Sequence, residues 1–314
     1  MSYTTDVKQE IALHVPEGDE ARAELSALIQ MTSSLSISSR GLGIVTESGN
    51  AAVSRCIYRL LKQRYEVQIE PSVKRRMDLR KNRIYILRAY GNTREILEDL
   101  GIYSSRGLKD RPLQRIVTKD SCARAYLAGA FMAQGSVNSP KTSSYHLEIQ
   151  AANQKHAEFL IELMERFYIT ARMIERRGHW IVYIKAAERI ADFLRCVEAD
   201  ESLLQFEDAR ITRDLANSVT RLNNVDVANE YKSMQAANRQ LADIAVLEEA
   251  GQIRFLDAKL QEVITLRKEF PEASLNELAE KIRQRTGNPV SKSGLKHRFV
   301  KIHDLAEKAG GTDD

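Results

Sequence analysis

The strongest constraint on this chain is an internal duplication built around two short apolar helices rich in small residues. Leu127-Ala128-Gly129-Ala130-Phe131-Met132-Ala133-Gln134-Gly135 is the clearer copy, and Leu25-Ser26-Ala27-Leu28-Ile29-Gln30-Met31-Thr32-Ser33 is the fainter one. Ser26, Ala27, Ala128 and Gly129 lack bulk and allow two helix backbones to approach closely, while Leu25, Leu28, Leu127 and Phe131 fill cores on either side. Gly135 suits a left-handed C-cap that would end its helix. The same order of patterns follows each copy. In the first half, Ile37, Ile44 and Val45 mark a polar and β-branched stretch, followed by a helix pattern over 50–65, strand-like runs at 66–70 and 83–90, and a helix over 92–100. In the second, a strand-like run at 145–151 precedes a helix over 154–168, strand-like runs at 171–175 and 180–185, and a helix over 187–197. Each half reads as αββαββα, and the halves are expected to pair through their first helices.

Both nine-residue copies resemble the LAGLIDADG signature of homing endonucleases at the letters that pack helices together. The resemblance implies an α+β fold whose two sheets form a saddle over the DNA major groove. In active members the eighth letter is an Asp or Glu that binds a divalent metal, and here those places hold Thr32 and Gln134. Neither is ionisable, so the expectation is a saddle without its catalyst: no catalytic residue, no metal and no cofactor.

Basic residues fall where strands and their loops are predicted: Lys74, Arg75, Arg76, Arg80, Lys81, Arg83 and Arg88 in the first half, Arg172, Arg176, Arg177 and Lys185 in the second. Alternation puts Tyr145, Leu147 and Ile149 on one face of their strand and His146, Glu148 and Gln150 on the other. A carboxylate such as Glu148 on the open face would oppose phosphate. These charges fit DNA contact and a plain solvated surface equally well.

At 314 residues the chain exceeds the usual single-domain range, and 43% apolar residues suffice for substantial cores. Cys56, Cys122 and Cys196 are odd in number and far apart, which excludes a disulfide framework or zinc spacing and points to a reducing cytoplasm. Neither a secretory leader nor an apolar run long enough to span a membrane is visible. A net charge of +4 is only mildly basic. Nothing resembles a phosphate-binding loop, since Gly41-Leu42-Gly43 lacks the further glycine and lysine, and the histidines are scattered.

Strand patterns vanish beyond residue 203. A turn is expected at Asn223-Asn224-Val225-Asp226, with breaks at Gly251 and Pro271, and helices are predicted over 226–250, 256–269, 275–285 and 292–309. The last two have the layout of a helix-turn-helix. Ser274-Leu275-Asn276-Glu277 is a capping box, and Leu275, Leu278, Ala279 and Ile282 form the buried stripe behind it. Thr286-Gly287-Asn288-Pro289 breaks the chain, and Ser291 can cap the next helix. There Leu295, Phe299 and Ile302 share one face, with Ser293, His297, Val300 and Lys301 opposite. Lys292, Lys296 and Arg298 flank that open face, and 289–303 contains no acidic residue. Short polar groups to meet base edges, cations at the margins to meet phosphates and an apolar back are what a recognition helix requires. The DNA-binding set read here is Lys292, Ser293, Lys296, His297, Arg298 and Lys301, and the alternative is an amphipathic helix with a basic solvent face.

An acid-free LAGLIDADG duplication followed by a helix-turn-helix resembles the WhiA family of bacterial regulators across nearly the whole chain. Three segments carry the likeness: 124–140 leading to Tyr145-His146-Leu147-Glu148-Ile149; Arg221-Leu222-Asn223-Asn224-Val225-Asp226-Val227-Ala228-Asn229; and Ala273-Ser274-Leu275-Asn276-Glu277-Leu278 leading to 290–298. One departure is Val225, where the family's central segment often has cysteine. The resemblance implies a degenerate LAGLIDADG-like domain over 1–204 (repeats about 20–105 and 122–204), a linker over 205–225, and an all-α domain over 226–314 whose helix-turn-helix covers about 274–304. It further implies a non-enzymatic, nucleoid-associated cytoplasmic protein that binds double-stranded DNA. Its expected work is transcriptional regulation in cell division and chromosome segregation, or sporulation in filamentous relatives, with other regulators or division proteins as candidate partners. Two alternatives remain: a metal-dependent endonuclease that takes its acids from other positions, and a regulator that senses a metabolite in the pocket below the paired helices.

Overall fold

The computed structural model describes residues 2–75, 83–287 and 289–310. Arg76, Arg80, Lys81 and Asn288 lie outside the described residues. The chain divides into two compact units, Met1–Arg213 and Asp214–Asp314.

The first unit opens with α1 (Tyr3–Leu13), which the hydrophobic pattern did not single out. Its first repeat comprises α2 (Gly18–Thr32), β1 (Ser33–Ser38), β2 (Gly41–Ser48), α3 (Ala51–Arg64), β3 (Gln68–Arg75), β4 (Arg83–Tyr90) and α4 (Thr93–Asp99). A small hairpin, β5 (Tyr103–Ser104) and β6 (Gly107–Leu108), connects it to the second repeat. That repeat comprises α5 (Asp120–Gln134), β7 (Gly135–Val137), β8 (Leu147–Ala151), α6 (Gln154–Glu165), β9 (Arg172–Arg176), β10 (His179–Ile184) and α7 (Ala187–Cys196). Both repeats are αββαββα, and their antiparallel sheets share one topology: β1-β2-β4-β3 and β7-β8-β10-β9. The β3 strand runs past Pro71, where a strand reading from sequence would stop, because as an edge strand it tolerates a residue without an amide donor.

Helices α2 and α5 pack together through their small residues. A Cβ on Gly129 would lie 2.4 Å from the backbone oxygen of Glu24 and 3.0 Å from the Ala27 methyl, so only glycine permits this approach. Leu25, Leu28, Leu127 and Phe131 are fully buried around the contact. Gly135 departs from expectation, since its φ of −80° and ψ of 153° are extended and not left-handed. The chain passes straight from α5 into β7, and glycine is needed for room: a Cβ there would stand 2.6 Å from the Phe131 oxygen.

A buried polar relay joins the same helices. The backbone N–H of Ala152 donates to Nδ1 of His156 (3.2 Å), which leaves Nε2 to donate to the Tyr126 hydroxyl (2.8 Å). That hydroxyl donates in turn to Oε1 of Gln30 on α2 (2.9 Å). Burial lowers the His156 pKa to about 4, so the imidazole stays neutral. Completed networks of this kind specify one arrangement of a core.

Helix α8 (Asp200–Glu249) carries the chain from one unit into the other. Glu10 of α1 caps its start by accepting from the N–H groups of Glu201 (2.6 Å) and Ser202 (3.0 Å). Phe206 is buried in the first core and Arg213 donates to the Pro140 and Thr142 carbonyls, so the first unit continues beyond residue 204. The expected turn at Asn223-Asn224-Val225-Asp226 is absent. No proline or glycine occurs between Asp200 and Ala250, and two asparagines cost a helix only ~0.7 kcal/mol each. The second unit continues with α9 (Ala258–Glu269), α10 (Leu275–Thr286) and α11 (Lys292–Gly310).

Two expectations follow. Gly129→Val should destabilise the first unit by about 1–3 kcal/mol. The chain's single tryptophan, Trp180, lies in β10 and reports on this unit, so an unchanged denaturation midpoint by fluorescence would show that the helices are not closely apposed. Residues 214–232 are exposed throughout, and a helix without packing opens readily. Brief trypsin treatment should therefore cut first at Arg221, whereas resistance there would mean that this stretch is covered.

Candidate nucleic-acid interface

The helix-turn-helix forms because local signals at each boundary agree. Asp257 caps α9, its carboxylate accepting from the Leu260 N–H at 2.9 Å, and that hydrogen bond holds its pKa below the usual carboxylate range. Ser274 and Glu277 complete the capping box of α10, and Gly287 ends that helix at a left-handed φ of 74°. The Ser291 hydroxyl accepts from the Gly294 N–H at 3.1 Å at the start of α11. Leu295, Phe299, Ile302 and Ala306 of α11 then bury against Leu260, Val263 and Ile264 of α9 and Leu278 and Ile282 of α10.

Arg267 fastens this unit, and the sequence reading did not identify it. It is 1% exposed, its Nε donates to Oε1 of Gln240 (3.0 Å), and its Nη1 donates to the carbonyl of Ala273 (2.5 Å) at the α9–α10 turn. The guanidinium also lies 5.4 Å from the Phe299 ring centroid, a cation–π distance. The signal was available: Leu260, Val263, Ile264 and residue 267 follow the i, i+3, i+4, i+7 pattern, so arginine occupies a core position.

The six residues read as a DNA-contacting set fall into two groups on α11. Lys292, Ser293, Lys296 and His297 are exposed and have no ion-pair or hydrogen-bond partner among the described residues. Arg298 and Lys301 turn toward α9 and meet acids. The Arg298 guanidinium is 3.7 Å from Glu262, with side chains 20% and 25% exposed, and Lys301 is 3.4 Å from Asp257, with side chains 56% and 52% exposed. On the α8 side, His303 lies 3.0 Å from Asp243, which raises the imidazole pKa.

In the first unit, Thr32 and Gln134 come together in one cleft at the ends of α2 and α5, as the motif requires. The Thr32 hydroxyl donates to the Leu28 oxygen (2.7 Å), and Gln134 Nε2 donates to the Met31 oxygen (3.3 Å). Glu47 is the one carboxylate among the described residues lining the cleft, and Arg83 faces it. No group of three or more His, Cys, Asp or Glu able to hold a metal ion occurs among the described residues. The open sheet faces are mixed in charge. Glu70 pairs with Arg40, and Glu148 accepts from Ser136 (3.3 Å) and lies 3.1 Å from His146. Lys74, Arg75, Arg83, Arg172 and Arg176 are exposed at strand positions, while Arg88 donates to Ser72 (3.0 Å).

A duplicated LAGLIDADG-type α+β unit followed by an all-α helix-turn-helix unit defines the class of this protein. Three family models match it in series: the WhiA N-terminal LAGLIDADG-like domain over residues 19–103, the WhiA LAGLIDADG-like domain over 123–216 and the WhiA C-terminal HTH domain over 219–306. Relatives named "Probable cell division protein WhiA" from Ligilactobacillus salivarius and Bacillus cereus are each 44% identical, covering 98% of this chain and 97% of their own. The solved structure of full-length DUF199/WhiA from Thermatoga maritima covers 98% of this chain and 99% of its own with a TM-score of 0.59 at 24% identity, a likeness of fold. The chain belongs to the WhiA family. No helix among the described residues is long and apolar enough to cross a membrane.

Proposed function

We propose that this protein is a non-catalytic, DNA-binding regulator that acts in cell division and chromosome segregation, associated with the nucleoid. The observation that carries the reading is the free face of α11. Two lysines, a serine and a histidine stand exposed, without a partner among the described residues, on a helix docked by its apolar back, within an acid-free stretch from 289 to 303. The match to the HTH model and the name of the relatives support it. Lys292 and Lys296 would meet phosphates, and Ser293 and His297 would meet base edges in the major groove. Lys301 would join them by exchanging Asp257 for phosphate or a base edge, at little cost for an exposed ion pair, and Arg298 by exchanging the more buried Glu262, at a greater cost. The LAGLIDADG-type unit would serve as scaffold or auxiliary clamp, and the exposed part of α8 beyond Arg213 as a helical linker.

Lys296→Ala should weaken binding to all duplexes alike and reduce the salt slope by about one phosphate contact. His297→Ala should cost roughly 1–3 kcal/mol on the preferred site and less on random DNA. The sites come from genome-wide mapping of bound DNA, followed by titrations on specific and scrambled duplexes at several salt concentrations. An unchanged specific-to-random ratio for His297→Ala would assign base reading elsewhere.

Loss of the endonuclease activity follows from chemistry, because a hydroxyl and an amide cannot replace the two carboxylate charges that hold a hard divalent cation. The purified protein should leave supercoiled plasmid intact with Mg²⁺ or Mn²⁺. Metal-dependent nicking that disappears in Glu47→Gln would establish the nuclease reading instead.

A further inference from the structure

The first unit contains a cavity of about 320 Å³ among α1, α2, α5 and the segment after α7, away from the Thr32–Gln134 cleft. Ile11, Val15, Ala125, Ala128 and Val197 give it apolar walls, and Glu24 of α2 lies among its lining. Glu24 is 3% exposed. Its Oε1 accepts from the Cys56 thiol at 3.2 Å, and among the described residues no cation lies within ion-pair distance of it. Arg59 of α3 stands behind this pair without forming an ion pair with Glu24: its Nη2 lies 3.8 Å from the Cys56 sulfur and donates to the carbonyls of Ala12 (3.0 Å) and His14 (2.7 Å). A buried carboxyl with no ion-pair partner is costly to ionise and holds its proton more tightly unless a cation enters to offset the charge.

We propose that this cavity binds a small organic cation, a protonated amine or guanidinium on a short apolar body, with Glu24 as the counter-ion. The size suits a compact metabolite. The sign follows from the groups around it. Glu20 from α2 and Glu198 after α7 add to Glu24, against Arg124 from α5 and His14 after α1, and His14 is itself 3.2 Å from Glu198. A metal ion does not fit, because no set of three ligating side chains surrounds the site among the described residues. Glu24 lies one turn from Ala27, within the backbone contact at Gly129, so an occupant would bear on the packing of α2 against α5.

Proton linkage gives the test its signature. Burial pushes the Glu24 pKa up to about 7, with Glu198 adding to the rise and the Cys56 hydrogen bond and Arg59 opposing it. Below that pKa, a cation must bind with loss of a proton, so affinity should rise up to about tenfold per pH unit and level off above it. Calorimetric titration of the full chain with agmatine, cadaverine and n-butylamine, and with n-butanol as the uncharged probe, covers about pH 6 to about pH 8. The expected result is saturable binding of at least one amine, none of butanol, tightening with pH, and loss in Glu24→Gln. Ala125→Leu, which narrows the cavity and leaves the carboxylate in place, should weaken binding at least tenfold and keeps the test independent of how well Glu24→Gln folds. The proposal is overturned if no probe binds up to about 10 mM, if butanol binds as well as the amines, or if both variants bind like the parent. None of these outcomes bears on DNA recognition by α11, which is measured separately.

Discussion

The fold of the first unit depends on how closely two helix backbones approach at Gly129. With a Cβ at that place 2.4 Å from the Glu24 oxygen, α2 and α5 could not lie as they do. Each sheet follows directly from one of these helices, β1 from α2 and β7 from α5, so the contact also sets where the two four-stranded sheets begin. The Ala152–His156–Tyr126–Gln30 relay fixes the register of the pair, because a slip would strand a buried imidazole and a phenol. The helix junction that unites two metal-binding acids in active LAGLIDADG nucleases here unites Thr32 and Gln134. Architecture and chemistry are thus separable: packing letters preserve the scaffold, while neutral residues stand at the two acid positions of the motif.

The second unit solves a different problem with a buried cation. Its core is small, and α11 has to be held firmly enough to present an exposed face. Arg267 does this from the α9 core stripe by satisfying the carbonyls of the α9–α10 turn and lying against Phe299. Glu262 and Asp257 on the same side engage Arg298 and Lys301, which leaves Lys292, Ser293, Lys296 and His297 of α11's first turns without a partner among the described residues. The helix is therefore asymmetric in charge, with one flank neutralised by the protein and the other open to an anionic surface.

Much of this was legible in the sequence because it is written locally. The duplicated αββαββα order follows from hydrophobic periodicity, and the helix-turn-helix boundaries follow from a capping box, a left-handed glycine and a serine cap. Errors arose where local signals were overridden. Asn223-Asn224 suggests a turn, but a helix without proline or glycine continues through it. Gly135 suggests a left-handed cap, but its neighbour Phe131 needs the space and the chain enters β7 extended. Pro71 suggests a strand end, but its strand lies at a sheet edge.

The sequence by itself determined the repeat, the absence of ionisable groups at the two motif acids and the basic, acid-free start of α11, since each is a property of neighbouring residues. Only the tertiary structure decided which charges are free. Arg298 and Lys301 resemble Lys292 and Lys296 as letters, yet Glu262 and Asp257 reach the first two from another helix. Likewise the burial of Glu24 is set by the packing of α1, α3 and α5 around it. Electrostatic partners and burial are set by residues far apart in the chain, and packing alone brings them within range.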